Sequence, residues 1–242
     1  MIDKSKIKLI VFDLDGTLTQ HKEKLGPDTR KLLDRLSEKY SLLMAGAGQT
    51  GRIFQQMDCY PIDIIGNYGL QFAKYDEATK ESVIIRDEHF DCDRPSVEER
   101  AAYLRNKYGY TAFAGDSVEY HPSGCITLAL LGTRAVQSDK LSFDPDRAKR
   151  RIMYPKVQEL FPEYNVFIGG SSSFDMAPKP YNKYYALDLY CRERKINHDE
   201  VVFVGDDYGP GGNDESVYQS DFGFICIDDY RKCVEILESK LL

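Results

Sequence analysis

The sequence lacks an excess of basic residues. Its 242 residues include 32 Lys and Arg against 39 Asp and Glu, which gives a net charge of −7. Nucleic-acid binding depends on neutralising phosphates with Lys and Arg, so this balance argues against a nucleic-acid-binding protein. A small phosphorylated ligand is compatible with it, because such a ligand needs only a local group of positive charges or a metal ion.

Three further features are missing. No stretch approaches the roughly 20 apolar residues that span a bilayer, so no membrane partner is expected. The apolar run near the N-terminus is too short for a secretory signal, and acidic residues follow it at once. The six cysteines are scattered without a C-x-x-C pair, as is typical of free thiols in a reducing compartment. We therefore expect a cytoplasmic protein.

The first third of the chain alternates between strand-like and helix-like patterns. The run IKLIVFDLD predicts a strand, residues 27–40 predict a helix, SLLMAGAG predicts a second strand and RIFQQMD begins a second helix. The segment 62–72 predicts a strand, a turn and a strand. Such alternation predicts a parallel sheet flanked by helices, and it resumes from NKYYALDLYCRERK onward, where EVVFVGDD and FGFICI predict further strands.

The middle of the chain has a different pattern. Strand-like segments occur there in pairs, as in SVEYHPSGCITLALLG, and charged amphipathic helices lie between them. This arrangement favours an α+β module with an antiparallel sheet. The sequence thus predicts a discontinuous core over 1–84 and 180–242, interrupted by an inserted module over 85–179.

Acidic residues follow two of the predicted strands. Asp13 and Asp15 lie in FDLDGT after the first strand, and Asp206, Asp207 and Asp214 lie in GDDYGPGGND after the strand EVVFV. The carboxyl ends of parallel strands are where α/β sheets bind ligands, so these acids are expected to converge. Like charges at that density call for a hard cation with oxygen ligands, and Mg²⁺ fits.

Four segments carry a family resemblance. VFDLDGTLT, MAGAGQTGR, NKYYAL and FVGDDYGPGGNDESVY resemble the four motifs of the haloacid-dehalogenase-like (HAD) superfamily of phosphatases and phosphomutases. FIGGSSSFDMAPKPYNK and the GPGGND segment are similar to the eukaryotic-type phosphomannomutases. The resemblance implies an α/β fold with a Rossmann-like parallel-sheet core and an inserted C2-type α+β cap. Relatives pair through their caps, so a homodimer is expected by analogy.

The resemblance also implies roles for the acids and for one lysine. Asp13 would attack phosphorus and form an aspartyl-phosphate, and Asp15 would act as general acid and then as general base. Lys183 would steady the phosphoryl oxygens. Asp13, the backbone carbonyl of Asp15 and Asp206 would hold Mg²⁺. For the outer coordination the expected residues are Asp207 or Asp214, and Asn213 would donate a hydrogen bond to a phosphate or a carboxylate.

The glycines of MAGAGQTGRIF match a G-x-G-x-x-G spacing. A dinucleotide fingerprint belongs in the first strand–turn–helix unit, which here carries DLDGT, so we discard that interpretation. The superfamily has Ser or Thr after the second strand to bind a phosphoryl oxygen, and Thr50 is the favoured candidate. An ungapped match instead places Gly48 there, in which case the amides of Gly48 and Gln49 would substitute. Arg52 is a further candidate for substrate binding.

The expected reaction depends on which residues of this chain stand where phosphomannomutases carry their phosphate-binding arginines. Those arginines fall on Lys22, on His121, on Thr133 with Arg134 beside it, and on Lys140. Ser173 and Asp175 match the sugar-contacting positions. Lysine lacks the bidentate fork of arginine, and a mutase must hold a phosphate at both ends of a bisphosphate. We therefore expect a Mg²⁺-dependent phosphatase of sugar phosphates or similar small metabolites. The alternatives are a phosphomannomutase and, from another class, a non-catalytic phospho-ligand-binding protein.

Overall fold

The computed structural model describes residues 3–242, so the first two residues of the predicted core lie outside the described residues. It contains two compact units. The first runs to Asp87 and resumes over Asn182–Gly209 and Asp214–Leu242, and the second comprises Glu88–Tyr181 and Pro210–Asn213. Within residues 3–242, no helix is both long enough and apolar enough to cross a bilayer.

The first unit is built on a seven-stranded sheet. Its strands are β1 (Leu9–Phe12), β2 (Ser41–Ala45), β3 (Asp63–Gly66), β4 (Gln71–Asp76), β5 (Glu81–Asp87), β10 (Val201–Gly205) and β11 (Gly223–Cys226). Their order is β11-β10-β1-β2-β3-β4-β5. The pairs from β11 to β3 are parallel, and β4 and β5 add an antiparallel hairpin at one edge.

Helices cover both faces of this sheet. They are α1 (Pro27–Ser37), α2 (Thr50–Gln56), α6 (Lys183–Arg194), α7 (Glu215–Tyr218) and α8 (Cys233–Leu241). Strand β1 shows why two faces are needed: Ile10 and Phe12 pack with residues of α1 and α8, whereas Leu9 and Val11 pack with residues of α6. Because alternate residues of a strand point to opposite faces, a strand of four apolar residues is buried on both.

The second unit has its own sheet and its own core. Strands β6 (Val118–Tyr120), β7 (Ile126–Ala129), β8 (Tyr164–Phe167) and β9 (Ser173–Pro178) pair antiparallel in the order β6-β7-β9-β8. The helices of this unit are α3 (Arg94–Tyr108), α4 (Gln137–Phe143) and α5 (Ala148–Leu160). Apolar residues of α3 and α5 form one buried cluster with every second residue of the strands, such as Phe174 and Met176 of β9.

The observed elements differ from the sequence-based ones in three places. The strand over ESVIIRD, predicted within the middle module, is β5 and pairs with β4 from Asp76↔Glu81 to Gln71↔Asp87, so it belongs to the first unit. The first helix ends at Ser37 rather than at residue 40. Helix α4 was not predicted, because none of its residues is buried and its sequence carries no apolar stripe.

Candidate active site

The two acidic segments meet at one edge of the seven-stranded sheet. Phe12 of β1 pairs with Val204 of β10, and the Asp13 amide donates a hydrogen bond to the Val204 carbonyl oxygen. Asp13 and Asp206 therefore follow adjacent parallel strands at their carboxyl ends. Carboxylate oxygens of Asp13, Asp206 and Asp214 all lie within 4.8 Å of one another. These three acids therefore come together in the structure, as the sequence predicts.

Gly16 makes room for this arrangement. Its φ is +97°, a conformation that side-chain-bearing residues rarely adopt. A Cβ atom at this position would lie 2.5 Å from an oxygen of the Asp206 carboxylate. The glycine of the DLDGT segment thus lets the chain turn after Asp15 while Asp206 approaches its backbone closely.

Lys183 binds two of the three acids. Its Nζ lies 2.6 Å from Oδ1 of Asp13 and 2.6 Å from Oδ1 of Asp214. It is the first residue of α6, which begins there because the side chain of Asn182 accepts a hydrogen bond from the Tyr185 amide. Burial by itself would lower the pKa of Lys183, but the two carboxylates raise it, so the ammonium stays charged.

Within residues 3–242, Lys183 is the only basic side chain that forms an ion pair with Asp13, Asp206 or Asp214, so negative charge remains. Burial raises the pKa of Asp13 well above its ordinary value, and Asp214 and Asp206 raise it further, although Lys183 acts in the opposite direction. Burial also raises the pKa of Asp206 to about 6. Three carboxylates facing one ammonium leave a site that favours a proton or a cation.

This donor set fits a magnesium ion. Mg²⁺ prefers oxygen ligands and is usually bound through one or two carboxylates together with substrate phosphate. Asp214 already accepts hydrogen bonds from Lys183 and from the Asp207 amide, which leaves Asp13 and Asp206 as the better candidates for ligands. The side chain of Asp207 does not belong to the three-acid group, and its amide instead helps to fix Asp214.

Asp15 lies in a separate hydrogen-bond network. Its carboxylate accepts hydrogen bonds from the Lys22 amide at 2.7 Å and from Nε2 of Gln56 at 2.6 Å. The guanidinium of Arg52 lies 3.4 Å away. Burial alone would raise the pKa of Asp15, but these neighbours and His21 lower it below its ordinary value. Lys22 contacts Asp15 through its backbone, and its side chain is exposed.

Thr50 and Gly48, the two candidates in MAGAGQTGRIF, have different surroundings in the structure. Thr50 packs against Gly66, its amide donates to Oε1 of Gln71, and its buried hydroxyl has no hydrogen-bond partner among the described residues. Gly48 instead lies beneath the guanidinium of Arg52, the same group that contacts Asp15. Arg52 thus links Gly48 to Asp15, and both Gly48 and Thr50, the residue that the sequence favours, remain candidates for the phosphoryl-binding position. Gln49 precedes α2 and is exposed.

Two residues of the site were missed by the sequence analysis. The Thr17 hydroxyl oxygen lies 2.7 Å from Oδ1 of Asp206 and 3.4 Å from Oδ2 of Asp13, so it bridges the two acids. Gln56 joins Asp15 to Arg52, whose Nη1 donates to Oε1 of Gln56 at 2.8 Å. Thr17 follows the DLDG tetrapeptide and could have been included on that ground. Gln56 had no such signal beyond its place four residues after Arg52.

The candidate residues of the second unit form a group of their own. His121 follows β6, and its Nε2 lies 3.2 Å from the Thr127 hydroxyl on β7, which donates to Oδ1 of Asp175 on β9 at 3.0 Å. Thr127 and Asp175 are cross-strand partners, so both lie on one face of the four-stranded sheet. Burial raises the pKa of Asp175, although the Thr127 hydrogen bond opposes this.

Other candidates of this unit are more scattered. The Ser173 hydroxyl donates to the Gly169 carbonyl oxygen, and Nζ of Lys140 donates to the Thr133 carbonyl oxygen at 3.1 Å. Arg134 is exposed, and Asn213, in the short segment Pro210–Asn213, is half-buried. The positions matched to the phosphomannomutase arginines therefore do not form a cluster of guanidinium groups.

Comparison with known proteins identifies the family. Residues 112–238 match the model of the family described as eukaryotic phosphomannomutase. The chain belongs to this family. It is 27% identical over 225 residues to a phosphomannomutase of Triticum aestivum, with 88% of this chain and 86% of the relative covered. With a phosphomannomutase of Spinacia oleracea it shares 24% identity over 253 residues, covering 96% of both chains.

Solved structures show the same fold. A haloacid dehalogenase-like hydrolase from B. subtilis has a TM-score of 0.65 at 13% identity, covering 98% of this chain and 100% of that one. An IMP-nucleotidase of Plasmodium falciparum has a TM-score of 0.64 at 14% identity, covering 96% of this chain and 68% of that one. At such identities the likeness concerns the fold alone, which is that of the HAD superfamily.

Proposed function

We propose that this phosphomannomutase-family chain transfers a phosphoryl group through Asp13 and interconverts hexose 1- and 6-phosphates. The observation that carries the proposal is the buried cluster of Asp13, Lys183 and Asp214, with Asp206 beside it, in a chain whose phosphomannomutase relatives match over most of their length. The proposal adopts the mutase alternative of the sequence analysis, because the family membership supports it better than it supports a phosphatase.

The protein groups of the site have complementary tasks. Asp13 attacks phosphorus, the bond to the leaving oxygen breaks, and Asp15 donates a proton to that oxygen. In the second step an acceptor hydroxyl attacks the aspartyl-phosphate, the bond from phosphorus to the Asp13 oxygen breaks and releases the carboxylate, and Asp15 takes the proton of the hydroxyl. Lys183 keeps the Asp13 side chain in place and reduces repulsion from Asp214. A bound Mg²⁺, held by Asp13 and Asp206, would offset charge between the nucleophile and the phosphoryl group.

A specific observation favours a second candidate, a sugar-phosphate phosphatase. A mutase has to hold the distal phosphate of a bisphosphate, and relatives do so with arginines. Here His121 is linked through Thr127 to the Asp175 carboxylate, which is a poor neighbour for a phosphate. If His121, Thr127 and Asp175 face the distal end of the substrate, the bisphosphate is poorly held, and water rather than a sugar hydroxyl accepts the phosphoryl group in the second step.

One experiment separates these functions. The purified chain is incubated with Mg²⁺ and mannose 1-phosphate, with and without glucose 1,6-bisphosphate, and ³¹P NMR follows the 1-phosphate, the 6-phosphate and inorganic phosphate together. Conversion to the 6-phosphate that depends on the bisphosphate supports the mutase, and steady release of inorganic phosphate supports the phosphatase. The Asp13→Asn variant should do neither. Equal and negligible turnover by both proteins would leave only the phospho-ligand-binding alternative.

A further inference from the structure

The guanidinium of Arg52 occupies the space that a side chain at position 48 would need. A Cβ atom built on Gly48 would lie 2.5 Å from Nε and 2.7 Å from Cζ of Arg52. Arg52 stands in the first turn of α2, and helical side chains lean toward the N-terminus of their helix, here toward the loop that contains Gly48. A serine or threonine at position 48 and Arg52 in its present position therefore exclude each other.

This placement brings the guanidinium to the acid–base residue. Both terminal nitrogens of Arg52 lie 3.4–3.5 Å from Oδ2 of Asp15, and Nη1 donates to Gln56 at 2.8 Å. The contacts to Asp15 are long for a charge-assisted hydrogen bond, which is ordinarily 2.7–2.9 Å. Because 45% of the Arg52 side chain is exposed, further acceptors can reach it.

The carboxylates around Asp13 repel an incoming phosphate, so phosphate binding calls for a further positive charge beside them. Lys183 is 1% exposed and directs its ammonium at Asp13 and Asp214, so its charge is largely spent on those carboxylates. An incoming phosphate dianion meets Asp13, Asp15 and Asp206 as well. Arg52 and His21 both contact Asp15 and remain partly accessible, and of the two only Arg52 carries a permanent charge and a planar fork that suits two oxygens of a phosphate.

We propose that Arg52 binds the transferring phosphoryl group and takes the place of the hydroxyl that the superfamily carries at position 48. This inference rests on the proposed phosphoryl transfer and deepens it by naming a catalytic residue. Glycine at position 48 leaves the space that the guanidinium fills, and a side chain there would have to displace it. The arginine at position 52 would then supply the phosphate contact that is lost with the hydroxyl at position 48.

The test compares four variants with the wild type, and it measures their affinity for phosphate in addition to turnover. Inorganic phosphate is titrated into the wild-type chain with Mg²⁺ and into Arg52→Ala, Arg52→Lys, Gly48→Ser and the double variant Gly48→Ser/Arg52→Ala. We expect Arg52→Ala to weaken phosphate binding about 10- to 100-fold, as for the loss of charge-assisted hydrogen bonds. Arg52→Lys should lie between the two because it keeps the charge without the fork.

The phosphate affinity of the double variant is the most specific prediction. With the guanidinium gone, a serine at position 48 has room, and it should restore several-fold of the lost affinity. Arg35→Ala, on α1 and paired with Glu238, is the matched control and should bind phosphate as the wild type does. Affinity within twofold of wild type in Arg52→Ala would overturn the proposal, as would the absence of phosphate binding to the wild-type chain.

A second comparison excludes an indirect role through Asp15. Arg52→Ala is repeated in an Asp15→Asn background. A loss of affinity that persists there supports direct contact with the phosphate, and a loss that vanishes overturns it. If sugar phosphates turn over equally in wild type and Arg52→Ala, this inference fails while the proposed function stands. If neither the wild type nor any variant turns over but the phosphate affinities follow the expected order, the proposed function fails, while the assignment of Arg52 to phosphate binding stands without a catalytic role.

Discussion

Lys183 and Asp13 are 170 residues apart in the sequence, yet Nζ of the lysine lies 2.6 Å from Oδ1 of the aspartate. The contact joins the start of α6 to the end of β1, and both side chains are buried. Breaking a buried ion pair from one side leaves the other charge uncompensated, which costs about 3–5 kcal/mol. Removal of either partner should therefore destabilise the folded chain.

The first prediction concerns this lysine. Lys183→Met should abolish phosphoryl transfer and lower the free energy of unfolding by about 3 kcal/mol, because Asp13 and Asp214 would remain buried without their cation. Urea denaturation in EDTA measures the change. Lys74→Met, at an exposed position of β4, is the control and should change stability by less than about 0.5 kcal/mol. Equal stabilities of the two variants would contradict the role of the pair.

The second prediction separates the two chemical steps. Asp15→Asn removes the group that protonates the leaving oxygen and should reduce turnover of a sugar phosphate about 10²- to 10⁴-fold. p-Nitrophenyl phosphate needs no such proton, so Asp13 should still be phosphorylated and the acyl phosphate should accumulate. Mass spectrometry then detects one added phosphoryl group. The Asp13→Asn/Asp15→Asn variant supplies the blank, and an equal signal from it would rule out Asp13 as the nucleophile.

Much of the first unit could be predicted from the sequence because its signals are local. Strands β1 and β10 are apolar runs followed directly by Asp13 and by Asp206, and parallel strands bring such ends together. The pairing of Lys183 with Asp214 carried no such signal. It depends on α6 starting at Asn182 and on the Asp207 amide holding the Asp214 carboxylate, which are contacts of the folded chain.

The sequence favoured Thr50 over Gly48 but could not decide between them, for a related reason. A hydroxyl is a reasonable phosphate ligand, and sequence spacing does not reveal which way it points. In the structure the Thr50 amide donates to Gln71 and the Thr50 methyl group lies against Gly66, whereas the guanidinium four residues after Gly48 folds back over the glycine. The first unit continues to Asp87, three residues past the predicted boundary at 84, because the pairing of ESVIIRD with β4 is a contact between strands that the segment's own sequence does not reveal.

The third prediction links pH, Mg²⁺ and stability. The pKa of Asp206 is raised from 3.8 to about 6 in the folded chain, so the folded state takes up a proton that the unfolded chain does not. The destabilisation is fully present above about pH 6 and is relieved as the pH falls through that value. In EDTA, this group should contribute about 1.4 kcal/mol more stability at pH 5 than at pH 8, because at pH 5 the folded chain is mostly protonated and the unfolded chain is still mostly ionised.

Thermal unfolding of wild type and Asp206→Asn isolates this contribution. Asparagine can still accept the Thr17 hydrogen bond but does not titrate, so its stability should depend less on pH than that of the wild type. Mg²⁺ should stabilise the wild type at pH 8 more than at pH 5, because protons compete for the ligands. Identical pH profiles of the two proteins in EDTA would disprove the assignment to Asp206.

The fourth prediction concerns Arg150 in the second unit. Its buried guanidinium pairs with Asp144 at 2.8 Å and donates to the carbonyl oxygens of Gly169, Gly170 and Ser173. Arg150→Met should lower stability by about 3–5 kcal/mol and release the loop that leads into β9. The neighbouring exposed Arg151→Met serves as control. Hydrogen exchange at residues 169–173 should accelerate in the Arg150 variant alone, and unchanged exchange would refute the role.

The fifth prediction tests whether position 121 decides between mutase and phosphatase. His121 now contacts Thr127, whose hydroxyl donates to Asp175. His121→Arg introduces the residue type that the family resemblance implies at this position and adds a permanent charge with a bidentate fork. It should lower the concentration of hexose bisphosphate needed for half-maximal interconversion about tenfold, the gain expected for one charge-assisted contact. Hydrolysis of p-nitrophenyl phosphate has no distal phosphate to hold and should stay unchanged. His121→Gln is the neutral control, and an equal response of both variants would show that this position does not bind the distal phosphate.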